Sequence, residues 1–456
     1  MQARLKFALF RPVAIAWLVY FRLGAGFLMA LEHAGGLVIG RVRNYTEPQF
    51  HFRYLGWEWL PALPAPGIYA VYGLVILAGL AVAAGWHYRL MAALLSLGYV
   101  ALLLLEETEY INHFYLYALL AAVLACLPAH RAASADVRAG RVAPAATTPA
   151  WTRLVVLFQV SLVYLFAALA KLNPDWLAAR PLGIWLGAKA HYPLLGPVLA
   201  AAPTAWLMSY GGLLFDALVV PLLLIRRTRP WAFGLAVFFH LTNVVVFGLG
   251  TFPWFSLLLT SLFFAPDFPR HLPGFVGRWF RQRLLLADAE TDAGTQVLPH
   301  SKYSQHWLLA GLTFYLLVQL ALPLRYLLYP GQVHWTEEGH RFSWHLMLRT
   351  KSGSAVFRVR LPDGREEVAL PATYLTRNQA NKLTHSPDLI LQFAHLLARN
   401  YQHRGLRPVA IYCDSWLSLN GHPPRPLVSP QLNLLGLKRS LKPYPWIEPA
   451  PATDTR

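Results

Sequence analysis

Long apolar runs dominate the first three quarters of the chain. A membrane-crossing helix takes about 20 mostly apolar residues. Nine stretches qualify, at roughly 12–35, 66–85, 90–105, 111–128, 153–171, 204–225, 230–248, 251–266 and 305–328. The second and third are separated only by Trp86-His87-Tyr88-Arg89, a tight turn. The seventh and eighth are separated by Gly248-Leu249-Gly250, which reads as a turn or as a break within one helix. From about Tyr329 the pattern changes. Segments near 341–349, 355–361 and 366–370 alternate as strands do, with Pro362-Asp363-Gly364 as a hairpin turn. Residues 386–402 place Leu389, Phe393, Leu396 and Leu397 on one side of an amphipathic helix. Val409–Leu419 reads as a further strand, and the proline-rich tail from Pro423 as extended chain. The pattern predicts an α-helical polytopic membrane domain of about nine transmembrane helices over 1–328, then a mostly β domain over 329–456. No internal repeat of the transporter kind is visible.

Composition agrees with that plan. Of the 456 residues, 56% are hydrophobic and 14% charged, against about 25% charged in soluble domains. Such a chain is neither disordered nor an ordinary soluble enzyme. Forty basic residues face 22 acidic ones, a formal +18. In a soluble protein that excess suggests nucleic acid. In a membrane protein it marks the cytoplasmic side, and no nucleic-acid partner is expected. With the N-terminus in the cytoplasm, the cytoplasmic loops collect Arg89, then Arg131, Arg138 and Arg141, then Arg226, Arg227 and Arg229, then Arg270, Arg278, Arg281, Arg283 and Lys302. The opposite loops hold Arg41, Arg43, Arg53, Arg180 and Lys189. Nine crossings then make the C-terminal domain extracytoplasmic. The basic N-terminus (Arg4, Lys6, Arg11) precedes a long apolar run with no small-residue cleavage site, so that run reads as a retained first span. Cys126 and Cys413 read as free thiols.

Ionisable groups at membrane depth are costly and usually functional. Lys171 lies 18 residues after Arg153, about 27 Å along a helix. It is either a lysine whose ammonium snorkels to the headgroups or one desolvated in a cavity. Burial disfavours the charged form, and a neutral amine can act as a general base. Tyr110, His113, Phe114 and Tyr117 share a helical face. That face is an interfacial aromatic belt or, with Asn112 beside His113, a pocket for a polar ring substituent. His240 and Asn243 face one way, as an interhelical hydrogen-bonding pair or as pocket residues. Arg22 and Glu32 suggest a structural ion pair with neighbouring helices, and Asp216 a pair with a basic group on another span. Glu106, Glu107 and Glu109 read as a solvated helix end. No zinc-ligand spacing, phosphate loop or nucleophile elbow is visible, so no metal is expected.

At these same residues the chain resembles a known family. Asn112-His113-Phe114-Tyr115-Leu116-Tyr117 is similar to the Asn-His-x-Tyr-Leu-Tyr segment of the vitamin K-dependent gamma-glutamyl carboxylases. Lys171-Leu172-Asn173-Pro174-Asp175-Trp176 resembles that family's Lys-Leu-x-x-Asp-Trp segment. Gly211-Gly212-Leu213-Leu214-Phe215-Asp216, Phe239-His240-Leu241-Thr242-Asn243 and Pro266-Asp267-Phe268-Pro269-Arg270 follow in the same order. Beyond the spans, Trp335-Thr336-Glu337, Phe342-Ser343-Trp344-x-x-Met347 and Ser418-Leu419-Asn420-Gly421 resemble later segments. The membrane portion alone also resembles the broader horizontally transferred transmembrane domain family.

The resemblance implies a membrane enzyme that oxidises vitamin K hydroquinone with O2 to the epoxide. The strong base so formed carboxylates peptide glutamate with CO2. It implies Lys171 as the residue that deprotonates the hydroquinone, with His113 beside it as a catalytic group. Asn112, His113, His240, Asn243, Leu249 and Phe252 are the expected quinone contacts, with the fourth, fifth, seventh and eighth spans as walls. Trp335, Trp344 and Met347 are the expected contacts of a glutamate-containing peptide above the cavity. Two departures bear on the substrate: the outer domain is smaller than in the animal enzymes, and His340-Arg341 replaces Tyr-Gly. The alternatives are a quinone epoxidase without carboxylation and a non-catalytic transporter or lipid-binding protein. The Ala-, Arg- and Leu-rich composition suggests a bacterial inner-membrane protein with a periplasmic C-terminal domain.

Overall fold

The computed structural model describes residues 2–292 and 302–451. Met1, residues 293–301 and the last five residues of the expected outer domain lie outside them. All nine apolar stretches are helices: α1 (Ala16–Val38), α2 (Ala65–Ala84), α3 (Tyr88–Leu105), α4 (Asn112–Cys126), α5 (Ala150–Lys171), α6 (Ala202–Leu224), α7 (Arg229–Phe247), α8 (Phe252–Ser261) and α9 (Lys302–Leu324). Among the described residues six of them, α2, α3, α5, α6, α7 and α9, are long and apolar enough to cross a membrane. Helix α1 is as long but carries Arg22, Glu32 and His33.

The Gly248 break is a helix end. Gly248 takes φ +63 and caps α7, a conformation glycine adopts without a Cβ penalty. Helix α8 has only 10 residues, about 15 Å. Its Thr251 end bonds Glu32 of α1. At its other end the carbonyls of Leu262 and Phe264 accept from Arg153 at the start of α5. Helices α1 and α2 meet through glycines. A Cβ at Gly26 would lie 2.5 Å from the Gly79 carbonyl, and one at Gly79 2.8 Å from that of Gly26. Close backbone approach of this kind replaces the missing hydrophobic drive between helices in lipid.

Among the described residues Arg22 forms no ion pair with a neighbouring helix. Its guanidinium donates to the carbonyls of Ala83, Ala129, Ala132 and Ala133 at 2.6–3.2 Å, tying α1 to the end of α2 and to the loop after α4. Glu32 is paired instead with Arg41, beyond the end of its own helix, at 2.5 Å.

The outer domain is a sheet with helices on it. Strands β1 (Lys351–Arg360), β2 (Glu366–Ala369), β3 (Ala410–Leu419) and β4 (Arg425–Pro426) pair antiparallel in the order β2-β1-β3-β4. The β1–β2 hairpin turns at Pro362-Asp363-Gly364, with Gly364 at φ +86 and Gly364 N–H donating to Leu361. Helix α10 (Arg377–Leu383) starts with a capping box between Thr376 and Gln379. Helix α11 (Pro387–His403) buries Leu389, Phe393 and Leu397 with Phe357 and Ile411 of the sheet. Cys413 is buried in that core and Cys126 is exposed; both are free.

Two expectations fail at the junction of the domains. Residues 341–349 are not a strand. Phe342, Trp344 and Met347 have φ of +62, +57 and +45, incompatible with a pleated ladder. The carboxylates of Glu106, Glu107 and Glu109 are not a solvated end but buried at 0–6% exposure. Gln379 and Gln392 from the outer domain donate to Glu106 and Glu107, Asn378 to Glu109, and Arg341 pairs with Glu107 at 2.6 Å. Each costs too much to bury alone, so the acidic end of α3 is where the outer domain docks.

Candidate functional site

A cavity of about 310 Å³ opens between α4, α5, α6, α7 and α8, at the lower end of the usual range for small-molecule sites. Its walls are mostly apolar: Leu116, Val160, Val163, Leu182, Phe247, Leu249, Phe252 and Leu259 contribute. Asn112, His113, Lys171, His240 and Asn243 all line it. The sixth helix was missed as a wall; it supplies Met208, Gly212 and Asp216. So were Trp176, Leu182 and Trp185, from two short helices after α5, Pro174–Leu177 and Arg180–Gly187.

Lys171 is the last residue of α5 and is 5% exposed. It does not snorkel. Its Nζ donates to Asp216 Oδ2 at 2.6 Å and lies 5.1 Å from the Trp176 ring centroid. The motif that follows holds it there. Asn173 caps the next turn by accepting from Trp176 N–H at 3.0 Å. Trp176 Nε1 donates to the Ser209 carbonyl of α6 at 3.0 Å. Asp175 accepts from His422 Nε2 at 2.7 Å and from Asn420 Nδ2 at 2.8 Å, so the outer domain grips the same turn. The expected partner of Asp216 is thus Lys171 itself.

His240 Nε2 bonds the Tyr164 hydroxyl at 2.9 Å. Its Nδ1 is buried without a protein partner. The side-chain amide of Asn243 has no protein hydrogen bond among the described residues. His113 stacks on Phe252 at 5.4 Å, and its Nε2 stands 3.9 Å from Glu32 Oε1. Asn112 is already engaged: its Oδ1 accepts from Tyr110 and its Nδ2 donates to the His345 carbonyl. It pins the strained 342–347 loop to α4, as does Tyr110, whose hydroxyl accepts from Phe342 N–H at 2.6 Å. That loop brings Met347 to the cavity.

Trp335 and Trp344 are not brought there. Trp335 is wholly buried in the outer core, with Nε1 donating to the Glu448 carbonyl. Trp344 is 1% exposed and stacks on Tyr115 at 5.0 Å. Both hold the loop and the domain in place.

A second chamber of about 450 Å³ adjoins the first; Ile111, Asn112 and Met347 line both. It is polar and basic, with Arg341, Arg349, Lys351 and Lys382 against Glu107 and Glu337, and with His340, His345 and His385. Burial alone raises the Glu337 carboxyl, but Arg349 at 2.6 Å and Lys351 at 2.5 Å hold it well below its usual range. Burial pulls Lys351 down to about 8 against the pull of Glu337. Burial pushes Glu107 up to about 7 and pulls His345 and His385 down to about 4.

A profile of the HTTM domain matches residues 10–268, more than half of the chain, and one of the vitamin K-dependent gamma-carboxylase lumenal domain matches residues 304–453. The chain belongs to the vitamin K-dependent gamma-carboxylase family. It is a membrane protein with a helical domain followed by a β-containing one. No solved structure matches it. The cavity fits the family's naphthoquinone. The walls suit an apolar ring, and the free Nδ1 of His240, the Asn243 amide and the Lys171–Asp216 pair offer partners for its oxygens. Among the described residues no cluster of histidine, cysteine or carboxylate side chains has the arrangement of a metal site.

Proposed function

We propose that the chain couples the oxidation of vitamin K hydroquinone by O2, giving the epoxide, to the carboxylation of glutamate in a peptide with CO2. The bound hydroquinone with O2 supplies the strong base that no side chain could provide in water. The residues prepare and contain that chemistry. With the proton they share resting on Asp216 Oδ2, the neutral Lys171 amine accepts the first proton from the quinol hydroxyl at Nζ, inside an apolar chamber that excludes water. His240, held by Tyr164, presents its free Nδ1, and Asn243 its amide, to orient the ring. His113, between Phe252 and Glu32, stands at the end of the cavity next to Asn112. The glutamyl side chain enters through the basic chamber, where four cations face two carboxylates. Met347, Asn112 and Ile111 form the threshold between the chambers.

The observation that carries this reading is the junction of an apolar cavity holding a buried Lys171–Asp216 pair with a separate basic chamber. An epoxidase alone needs only the first. The orientation follows the charge: N-terminus in the cytoplasm and outer domain in a bacterial periplasm. The test is incorporation of labelled CO2 into a glutamyl peptide, with and without reduced vitamin K. Quinol-dependent label at the γ-carbon is expected. Epoxide without label would leave only quinone oxidation.

A further inference from the structure

A groove of about 470 Å³ runs between α6 and α7. Leu207, Leu214, Leu218, Leu235 and Phe238 line it, and all five are at least 46% exposed, facing the lipid side of the helices. Four residues, Met208, Gly212, Phe239 and Asn243, line both this groove and the Lys171 cavity. The wall between them is thin at Gly212: a Cβ there would meet only Trp176 at 3.6 Å and Lys171 Cε at 4.0 Å. Gly211, one position before it, lines the groove and not the cavity, and has open space beside it. Below that level Phe215 and Phe239, stacked at 4.0 Å, close the wall between cavity and groove. On the neighbouring flank Trp185 meets Phe247 edge-on at 6.1 Å.

We infer that this groove is the side door of the cavity and the seat of a prenyl chain. A quinone head held by Lys171, His240 and Asn243 extends its chain past Gly212 between α6 and α7 into the bilayer. The inference rests on the quinone reading above and adds the tail's path. Lipid is as apolar as leucine, so the groove gives the chain no hydrophobic gain over the membrane. Its role is steric: the head cannot seat with a long chain attached unless the chain has this way out.

The test is equilibrium binding of oxidised naphthoquinones to the full chain in nanodiscs, read by quenching of intrinsic tryptophan fluorescence, to which Trp176 and Trp185 at the cavity contribute. A tailless 2-methylnaphthoquinone is compared with one carrying four prenyl units. Gly211→Leu fills the groove on an exposed helix face where leucine is the better helix former. A leucine that occupies the chain's path should weaken the tailed quinone at least about tenfold and the tailless one less than about twofold. Gly211→Ala should fall between. Equal loss for both ligands, or no loss for either, overturns the side door while leaving the quinone site standing. Failure of the unaltered protein to bind either ligand overturns the quinone reading, and the side door with it.

Discussion

Replacing Lys171 or Asp216 separates what their pair does for the fold from what it does for the chemistry. Their side chains are each 7% exposed and 2.6 Å apart. Removing one partner leaves the other charge buried, which costs about 3–5 kcal/mol, whereas replacing both by apolar residues of similar volume is close to neutral or stabilising. Lys171→Met and Asp216→Leu should each lower the thermal unfolding midpoint of the purified protein, and the double variant should recover most of that loss. Activity should not follow. A proton acceptor positioned in the transition state is worth about 10²–10⁴-fold, so quinol consumption should fall by that factor in both single variants and stay low in the double one. Asp216→Asn is the finer probe. It keeps the shape but cannot take the lysine's proton, and it should lose at least about 10²-fold in turnover. Full turnover in Asp216→Asn, or in the double variant, would refute the assignment of the pair as the proton acceptor.

Three further outcomes follow from the neighbouring contacts. Lys351 is charged below about pH 8 and neutral above, so the basic chamber loses a cation as pH rises. At roughly 8 Å and an effective dielectric of about 20–40 that charge is worth about 1–2 kcal/mol to a carboxylate. The KM for a glutamyl peptide should therefore climb above pH 8, and Lys351→Arg, which stays charged, should abolish the climb. Asn112→Ala frees the His345 carbonyl and one anchor of the strained 342–347 loop. Label incorporation should fall more than epoxide formation, and protease sensitivity near Met347 should rise. Asp175→Asn weakens the grip of His422 and Asn420 on the turn after Lys171. Lost hydrogen bonds to a buried charge are worth about 1.5–3 kcal/mol each, and amide exchange over 172–177 should quicken.

The helical plan was legible because hydropathy is a direct record of contact with lipid. All nine apolar runs are helices, and the hairpin at Pro362-Asp363-Gly364 and helix α11 stand where periodicity placed them. The cavity was partly legible. Lys171, His113, His240, Asn243, Leu249, Phe252 and Met347 meet in one chamber, and the family's segments pointed to all but Leu249 and Phe252. The pairing of Lys171 with Asp216 could not be read, since partners 45 residues apart declare themselves only when two helices pack. The glutamates after α3 looked solvated because a run of acids at a helix end usually is. Their burial depends on Gln379, Gln392 and Arg341, which lie more than 200 residues away. The 341–349 segment alternates like a strand, yet three left-handed residues and bonds to α4 make it a loop. Trp335 and Trp344 looked like substrate contacts because their segments resemble the family's, but large aromatic residues are first of all core material, and both are buried away from the cavity.

The most direct measurement of the coupling is a single sample assayed for two products. Purified protein is given reduced vitamin K, O2, labelled CO2 and a glutamyl peptide, and epoxide and γ-carboxyglutamate are counted together, in the unaltered chain and in Lys171→Ala. Both products should form in the first, with label dependent on the quinol, and both should vanish in the second. Label that persists in Lys171→Ala, or epoxide that forms without any label in the unaltered chain, would contradict the account.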